Sequence, residues 1–97
     1  MGTVNTTINL GRTYLTRGVN DLVVENLTFA KFVTNSLKRH AQGDWGDLCR
    51  GDWQENERAH SEGERLFSVY KSEWQLPIWI ITEADRSATT VLFPEEY

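Results

Sequence analysis

One stretch of the sequence concentrates the side chains that could bind a divalent metal: His40, Asp44, Asp47, Asp52 and His60. Imidazole and carboxylate groups are ordinary ligands for such an ion, so a small metal-dependent hydrolase using His40, Asp44 and Asp47 is one hypothesis. The competing interpretation is structural. Gly43 interrupts the helix between His40 and Asp44, Asp44 and Asp52 are residue types of turns and caps, and His40 can satisfy a helix C-terminus. The structural interpretation is favoured, so no metal ligand, catalytic residue or cofactor is assigned.

Nucleophilic and acid–base catalysis have less support. Cys49 is the only cysteine, and neither a helix start nor a local signature marks it as activated. Ser87 lacks the Gly-x-Ser-x-Gly elbow of serine hydrolases. Glu83 and Asp85 could divide acid and base roles, but carboxylates at a hairpin end are usually solvated, and we expect Arg86 to neutralise one of them. An enzyme is therefore the less favoured class.

The charge distribution argues against nucleic acid as the principal partner. The net charge is −4, and it divides into five basic against two acidic residues over 1–42 and five basic against twelve acidic residues over 43–97. Proteins that wrap phosphate backbones normally carry the opposite balance. A nucleic-acid-binding accessory protein remains an alternative only if its scattered basic residues share a face: Arg12, Arg17, Lys31, Lys38 and Arg39.

Length and composition indicate a single domain, 1–97. The chain has 97 residues, 39% of them hydrophobic, which suffices for one modest core. No apolar run reaches the ~18 residues of a membrane span, and the first residues lack the pattern of a signal peptide. We therefore expect a cytoplasmic protein without membrane contact.

Hydrophobic periodicity predicts a main helix over 27–42. Five apolar residues recur there at three- and four-residue steps: Phe29, Phe32, Val33, Leu37 and Ala41. Thr28 is the expected N-cap, and Gly43 the expected C-terminal stop. A second, surface helix is predicted over 52–62, with Asp52 as N-cap in a capping box with Glu55 and Gly63 as its stop.

The last third of the chain changes to the pattern of strands. Runs rich in β-branched and aromatic residues at 66–70, 78–82 and 89–93 predict an antiparallel meander over 65–93. The middle run should be central and buried on both faces, with Trp79 and Ile81 on one face and Ile78 and Ile80 on the other. Within the variable N-terminal segment 1–25, a short strand at 13–15 and a short helix at 19–24 are expected. The predicted fold is α+β, a three- to four-stranded antiparallel meander packed against one long and one or two short helices.

Two long motifs carry a family resemblance. They are RHAQGDWGDL at 39–48 and WIITEADRSATTVLFPEEY at 79–97, joined by DWQENE at 52–57 and GERLFSVY at 63–70. From 37 to 97 the chain resembles a family of short, plasmid-related bacterial proteins carried on plasmids and integrated mobile elements. The resemblance implies a genomic setting, and it supplies no catalytic residues.

These observations favour a small, non-enzymatic interaction protein of a mobile element. The expected partner is a host or defence-system protein, with the chain acting as an inhibitor of the anti-restriction or anti-CRISPR type, because acidic surfaces can occupy the basic channels of nucleases. Trp45 is also expected to plug one end of the core within a rigid connector. The candidate partner contacts are Asp44, Trp45, Asp47, Glu55, Glu57, Glu62, Glu83, Asp85 and Arg86.

Overall fold

Three helices precede most of a four-stranded sheet in this chain. A computed structural model describes residues 7–97. Its elements are β1 (Arg12–Leu15), α1 (Arg17–Glu25), α2 (Leu27–Ala41), α3 (Arg50–Glu62), β2 (Leu66–Tyr70), β3 (Ile78–Thr82), β4 (Ala88–Leu92) and a 3₁₀ turn (Pro94–Glu96). The α+β class is thus confirmed. None of the helices in 7–97 is long and apolar enough to cross a membrane.

The sheet has the strand order β1-β4-β3-β2 and is mixed. Strands β2, β3 and β4 form the predicted antiparallel meander, with Ile80 opposite Ser68 on one side and Val91 on the other. Strand β1 adds to it in parallel, with Thr13 opposite Thr89. The expectation of a purely antiparallel sheet was therefore wrong. Three helices separate β1 from the meander, so its direction depends on their packing and not on its own four residues.

All three helices pack on one face of the sheet, called the inner face below. Side chains alternate along a strand, so Ile78 and Ile80 point to this face. The main buried cluster consists of Val19, Phe29, Val33, Tyr70, Ile78, Ile80, Val91 and Phe93. A second cluster under α3 consists of Ile8, Trp45, Ala59 and Leu66. The apolar stripe of α2 thus lies on the sheet, as its periodicity predicted.

The helix stops were predicted better than the N-cap residues. Gly43 and Gly63 both have a left-handed backbone, with φ of 80° and 71°, and follow α2 and α3 as expected. The N-cap of α2 is Asn26, whose Oδ1 accepts the amide of Phe29 at 3.0 Å, so the assignment to Thr28 was wrong. Both residues have a capping side chain, and local sequence does not decide between them.

The start of α3 also differs from the prediction. The helix begins at Arg50, and its N-cap is Cys49, which makes no side-chain capping bond. Asp52 therefore lies inside the first turn, and the expected capping box with Glu55 does not form. There the Asp52 carboxylate still faces the positive end of the helix dipole. Cys49 is exposed, and a helix does start beside it, contrary to the sequence analysis.

Strand β3 is central, as its apolar run indicated. Ile78 and Ile80 are fully buried on the inner face, and Ile81 is 5% exposed on the opposite, outer face. Trp79, also on the outer face, is only half-buried. Trp79 is thus the least buried of the four side chains, because none of the helices within residues 7–97 covers the outer face.

Candidate functional site

A chain of polar side chains is buried between α2 and the inner face of the sheet. His40 is fully buried, with Nδ1 2.5 Å from Ser68 Oγ and Nε2 2.8 Å from Thr82 Oγ1. Thr82 Oγ1 lies 2.7 Å from Thr89 Oγ1, and the Thr89 hydroxyl donates to the carbonyl of Leu10 at 2.7 Å. The network therefore joins α2, three strands and the N-terminal segment, and it is called the His40 network below.

Each hydrogen bond of the His40 network donates in the same direction along the chain of side chains, from Ser68 toward Leu10. The single proton of the Thr89 hydroxyl goes to a carbonyl, so Thr82 must donate to Thr89. The Thr82 oxygen then accepts from His40 Nε2–H, which leaves Nδ1 to accept the hydroxyl proton of Ser68. The network thus fixes a neutral imidazole protonated at Nε2.

The environment of His40 disfavours its charged form. Burial, and to a smaller extent the positive charge of Arg86, lowers the pKa of His40 to about 4. Hydroxyl and imidazole are placed as in a nucleophile–base pair, but Ser68 and His40 are both fully buried. His40 therefore serves the fold, and neither of its nitrogens is free to bind a metal. The helix C-terminus uses backbone groups instead: Asp44 N–H donates to the Arg39 carbonyl at 2.9 Å.

The tract after α2 is a connector in which Asp44 bonds a backbone amide, as expected. Asp44 forms an ion pair with Arg39 at 2.7 Å and accepts the amide of Gly46 at 3.0 Å. The hydrogen bond from Arg39 holds the pKa of Asp44 below its usual value. Asp47 accepts the amide of Lys71 at 2.8 Å. Both carboxylates thus fasten the connector to neighbouring elements, and Arg39 is not a free cation for nucleic acid.

Trp45 plugs the core within this connector. It is fully buried, and His40 and His60 pack edge-on against it with ring centroids 5.5 and 6.2 Å away. Its indole N–H donates to Glu57 at 2.9 Å. Gly46 has a φ of 75°, and a Cβ there would overlap the Val69 carbonyl oxygen. The plug is thus confirmed, and the same burial removes Trp45 from the accessible surface.

The proposed hydrolase site does not assemble. Within residues 7–97, no group of three or more His, Cys, Asp or Glu side chains could hold a metal ion. His40 is sealed in its network, while Asp44 and Asp47 bond Arg39 and backbone amides. The three residues are near one another in sequence but are used for three separate structural contacts.

The acidic side chains of α3 gather around one arginine on the surface. Arg58 pairs with Glu62 at 3.2 Å and with Glu64 at 2.8 Å, and it also bonds Glu55. The hydrogen bonds that Arg58 donates to Glu64 and, second, to Glu55 raise the pKa of Arg58 further above its usual value. The three carboxylates remain exposed, so they stay candidates for contact with a partner.

The turn between β3 and β4 differs in detail from its prediction. Arg86, with φ of 62°, donates to the carbonyl of Glu64 at 2.7 Å and to two carbonyls of its own turn. It therefore does not neutralise Glu83 or Asp85, as we had expected. Asp85 instead accepts the hydroxyl and amide of Ser87, which lowers the pKa of Asp85. Glu83 is exposed.

The outer face of the sheet holds an apolar cleft that the sequence analysis missed. Its volume is about 310 Å³, and it is lined by Arg65, Phe67, Trp79, Ile81 and Tyr97. Trp79 packs edge-on against Phe67 and Tyr97, with ring centroids 5.0 and 5.5 Å away. The Arg65 guanidinium lies 5.7 Å from the centre of the Tyr97 ring. Alternation along β2 and β3 was the available signal, since it places an aromatic side chain of each strand on this face.

The cleft continues toward β1 along one row of the sheet. The register aligns Phe67 with Ile81, Ile81 with Thr90 and Thr90 with Tyr14. Tyr14 is 50% exposed. Two more exposed apolar residues, Trp74 and Leu76, lie in the β2–β3 connection. On the outer face, this row thus runs from the aromatic ring of Phe67 on β2 to that of Tyr14 on β1, with Ile81 and Thr90 between them.

Glu96 fastens the C-terminal turn beside this face. It accepts the hydroxyl of Thr16 and the amides of Gly18 and Phe93, at 2.5, 3.0 and 2.9 Å. Partial burial raises the pKa of Glu96, but these hydrogen bonds outweigh it, and the pKa lies below its usual value. Glu96 thereby supplies the missing cap of α1 from about 80 positions away, and it holds the backbone next to Tyr97.

No family model, no curated protein and no solved structure matches the chain.

Proposed function

We propose that this chain is a non-enzymatic interaction protein that binds a host or defence-system protein through the outer face of its sheet. One observation carries the proposal. The helices seal the inner face, whereas the aromatic cleft around Trp79 on the outer face stays accessible. Exposed apolar surface of this kind is typical of sites that bind another protein.

The engagement of the polar side chains supports this function over catalysis. His40 and Ser68 are fully buried, and the carboxylates of Asp44 and Asp47 bond groups of the same chain. A general base must reach its substrate, and a metal needs ligands with free lone pairs. Neither requirement is met by the residues that suggested a hydrolase.

The chemistry of the cleft suits an apolar anchor side chain with a polar neighbour. Phe67, Trp79 and Ile81 provide an apolar floor, while Arg65 stands at its edge and can donate to a carbonyl or carboxylate. Interfaces commonly place an aromatic or aliphatic anchor in such a pocket, surrounded by polar contacts. We infer that the partner inserts one projecting side chain there.

The proposal extends to the setting of the interaction. The motifs at 39–48 and 79–97 resemble proteins of plasmids and integrated mobile elements, whose entry into a cell meets restriction and CRISPR systems. A small protein that binds such a system can inhibit it without chemistry of its own. We therefore propose inhibition of a host defence protein as the biological role.

Binding through the outer face is tested with two substitutions at the edge of the cleft. Arg65→Glu and Tyr97→Ser alter exposed side chains, and Lys31→Glu on α2 makes the same charge change away from the sheet. Partners captured from the host by the tagged wild type are identified, and the affinity of the purified partner is measured. We expect at least a tenfold loss for the double variant and less than twofold for Lys31→Glu. Equal affinity of all three proteins rejects this binding surface.

The defence role has a separate test in cells. Cells that carry a restriction or CRISPR system and express the chain are transformed with a targeted plasmid. We expect more transformants than with the Arg65→Glu, Tyr97→Ser variant. Equal numbers across the defence systems tested reject the inhibitor role but leave the binding measurement standing.

A further inference from the structure

The two edges of the sheet differ in whether their outward backbone amides are hydrogen-bonded. At the β2 edge, each outward amide is bonded: Phe67 N–H to Asn56 Oδ1 at 2.9 Å, Val69 N–H to the Trp45 carbonyl at 3.3 Å and Lys71 N–H to Asp47 Oδ2 at 2.8 Å. A further strand therefore has no donors to pair with on this side. Blocking an edge in this way is a common defence against unwanted pairing.

The β1 edge is open among the described residues, 7–97. Arg12 and Thr16 donate their amides to the carbonyls of Ser87 and Val91, both at 3.0 Å, so every second residue of β1 faces β4. Thr13 and Leu15 therefore direct their N–H and C=O groups away from the sheet. Within residues 7–97, no hydrogen bond engages the amide of Thr13 or Leu15. This edge can accept an extended strand.

The charge at this edge indicates what kind of strand fits. Between 7 and 18 the only charged residues are Arg12 and Arg17, in a chain of net charge −4. Both are exposed, and neither belongs to an ion pair of the described residues. An extended segment that lies along β1 and carries carboxylates would complement them.

We propose that the β1 edge binds an extended acidic segment of the partner protein as a fifth strand. This inference rests on the proposed function and names the chemistry of the partner. Backbone bonds to Thr13 and Leu15 would hold the segment, while carboxylates pair with Arg12 and Arg17. Arg12 and Tyr14 both lie on the outer face, because side chains alternate along β1. One outer-face side chain of the segment would therefore be the carboxylate beside Arg12, and the next one along would lie beside Tyr14.

A second copy of the chain fits this edge less well. Two β1 strands related by a twofold axis, with Thr13 opposite Leu15 of the second copy, would bring Arg12 next to Arg17 of that copy. One Arg12–Arg17 pair of guanidinium groups would then lie at each end of the strand pair. Like charges at such close range oppose pairing, whereas an acidic segment gains from the same arrangement.

A synthetic peptide tests the inference on the intact chain. The ¹⁵N-labelled protein is titrated with an eight-residue peptide that alternates glutamate and valine, and amide shifts and hydrogen exchange are recorded. We expect shifts and slower exchange at Thr13 and Leu15, because their outward amides become bonded. The same peptide with lysine in place of glutamate should bind at least tenfold more weakly. Equal binding of both peptides overturns the charge argument.

Variants separate the edge from the general charge of the protein. Arg12→Glu with Arg17→Glu should weaken the acidic peptide at least tenfold, whereas Lys31→Glu with Lys38→Glu makes the same charge change on α2 and should alter affinity less than twofold. Thr13→Pro removes one outward amide while the bonds of Arg12 and Thr16 to β4 remain, and it should also weaken binding. Equal effects of the two charge pairs overturn the proposal.

The remaining outcomes distinguish this inference from the proposed function. Shifts confined to residues around Trp79 and Tyr97 overturn the edge site but agree with binding at the outer face. Self-association without peptide, with Thr13 and Leu15 protected, overturns it in favour of a second copy. Loss of partner capture in the Arg12→Glu, Arg17→Glu variant alone supports the edge, and loss in the Arg65→Glu, Tyr97→Ser variant reports on the proposed function.

Discussion

The inner face of the sheet buries polar side chains beside its apolar core, whereas the outer face leaves aromatic side chains partly exposed. The inner face buries a histidine and three hydroxyls in the His40 network beside its apolar core. The outer face leaves Trp79 half-buried and Tyr97 72% exposed. Buried polar groups and exposed apolar groups are the informative exceptions in a globular protein. Here the residues that suggested catalysis stabilise the fold, and the aromatic side chains of the outer face stay accessible.

The largest expected effect is the difference in the free energy of unfolding between a substitution on the inner face and one on the outer face. Ile80 is fully buried among the helices, so Ile80→Ala should lower the free energy of unfolding by about 2 to 5 kcal/mol. Tyr97→Ser removes an exposed ring from the outer face and should leave the urea midpoint nearly unchanged. Urea unfolding of both variants measures the contrast. A loss below half a kcal/mol for Ile80→Ala would contradict the placement of β3.

The His40 network should make the inner face sensitive to acid. In the folded chain the pKa of His40 is about 4, below the usual 6.5. The unfolded chain therefore binds more protons than the folded chain between pH 4 and pH 6.5. The contribution of neutral His40 to the free energy of unfolding is complete above pH 6.5. It is lost as the pH falls from 6.5 through 4, by about 3 kcal/mol for a shift of this size. NMR of the ring nitrogens should show a neutral, Nε2-protonated imidazole at pH 5. A titration midpoint near 6.5 would contradict a sealed network.

A smaller loss of stability is expected on removal of Asn56, the residue of α3 that blocks the β2 edge. Asn56 is 5% exposed and accepts the Phe67 amide, so Asn56→Ala leaves that amide without a partner. Such a change typically lowers the free energy of unfolding by about 1 to 3 kcal/mol. Gln54→Ala, on the exposed side of α3, is the matched control and should have little effect. Hydrogen exchange at Phe67 should accelerate in Asn56→Ala only.

The smallest effect is expected on the acidic surface of α3. Glu55→Lys with Glu62→Lys reverses two exposed partners of Arg58, and surface ion pairs contribute little to folding. The melting temperature should therefore be almost unchanged. Glu57→Lys is the informative comparison, because it removes the acceptor of the buried Trp45 indole and should lower the melting temperature more. Equal effects of the two changes would contradict the separate roles assigned to these carboxylates.

Local sequence patterns were enough to predict the helices and strands whose formation depends on residues close together in the chain. The apolar stripe of α2, the β-branched runs of β2 and β3 and the glycines that end α2 and α3 were all predicted from sequence. These features depend on periodicity and on backbone conformations that glycine alone adopts easily. The N-caps of α2 and α3 were misassigned by two and three residues. Asn26 and Thr28 satisfy the same capping rule, and α3 begins after Cys49 without a side-chain cap.

Tertiary structure alone decided the features that join distant parts of the chain. The parallel placement of β1, the capping of α1 by Glu96 and the burial of His40 against Ser68 and Thr82 each involve residues at least 28 positions apart. No local pattern encodes such a contact. The sequence around His40 would be the same whether its side chain satisfied the end of α2 or was buried against the sheet. The open outer face has the same origin: alternation predicted two apolar faces for β3, but only the packing of three helices on one of them determined which face stays accessible.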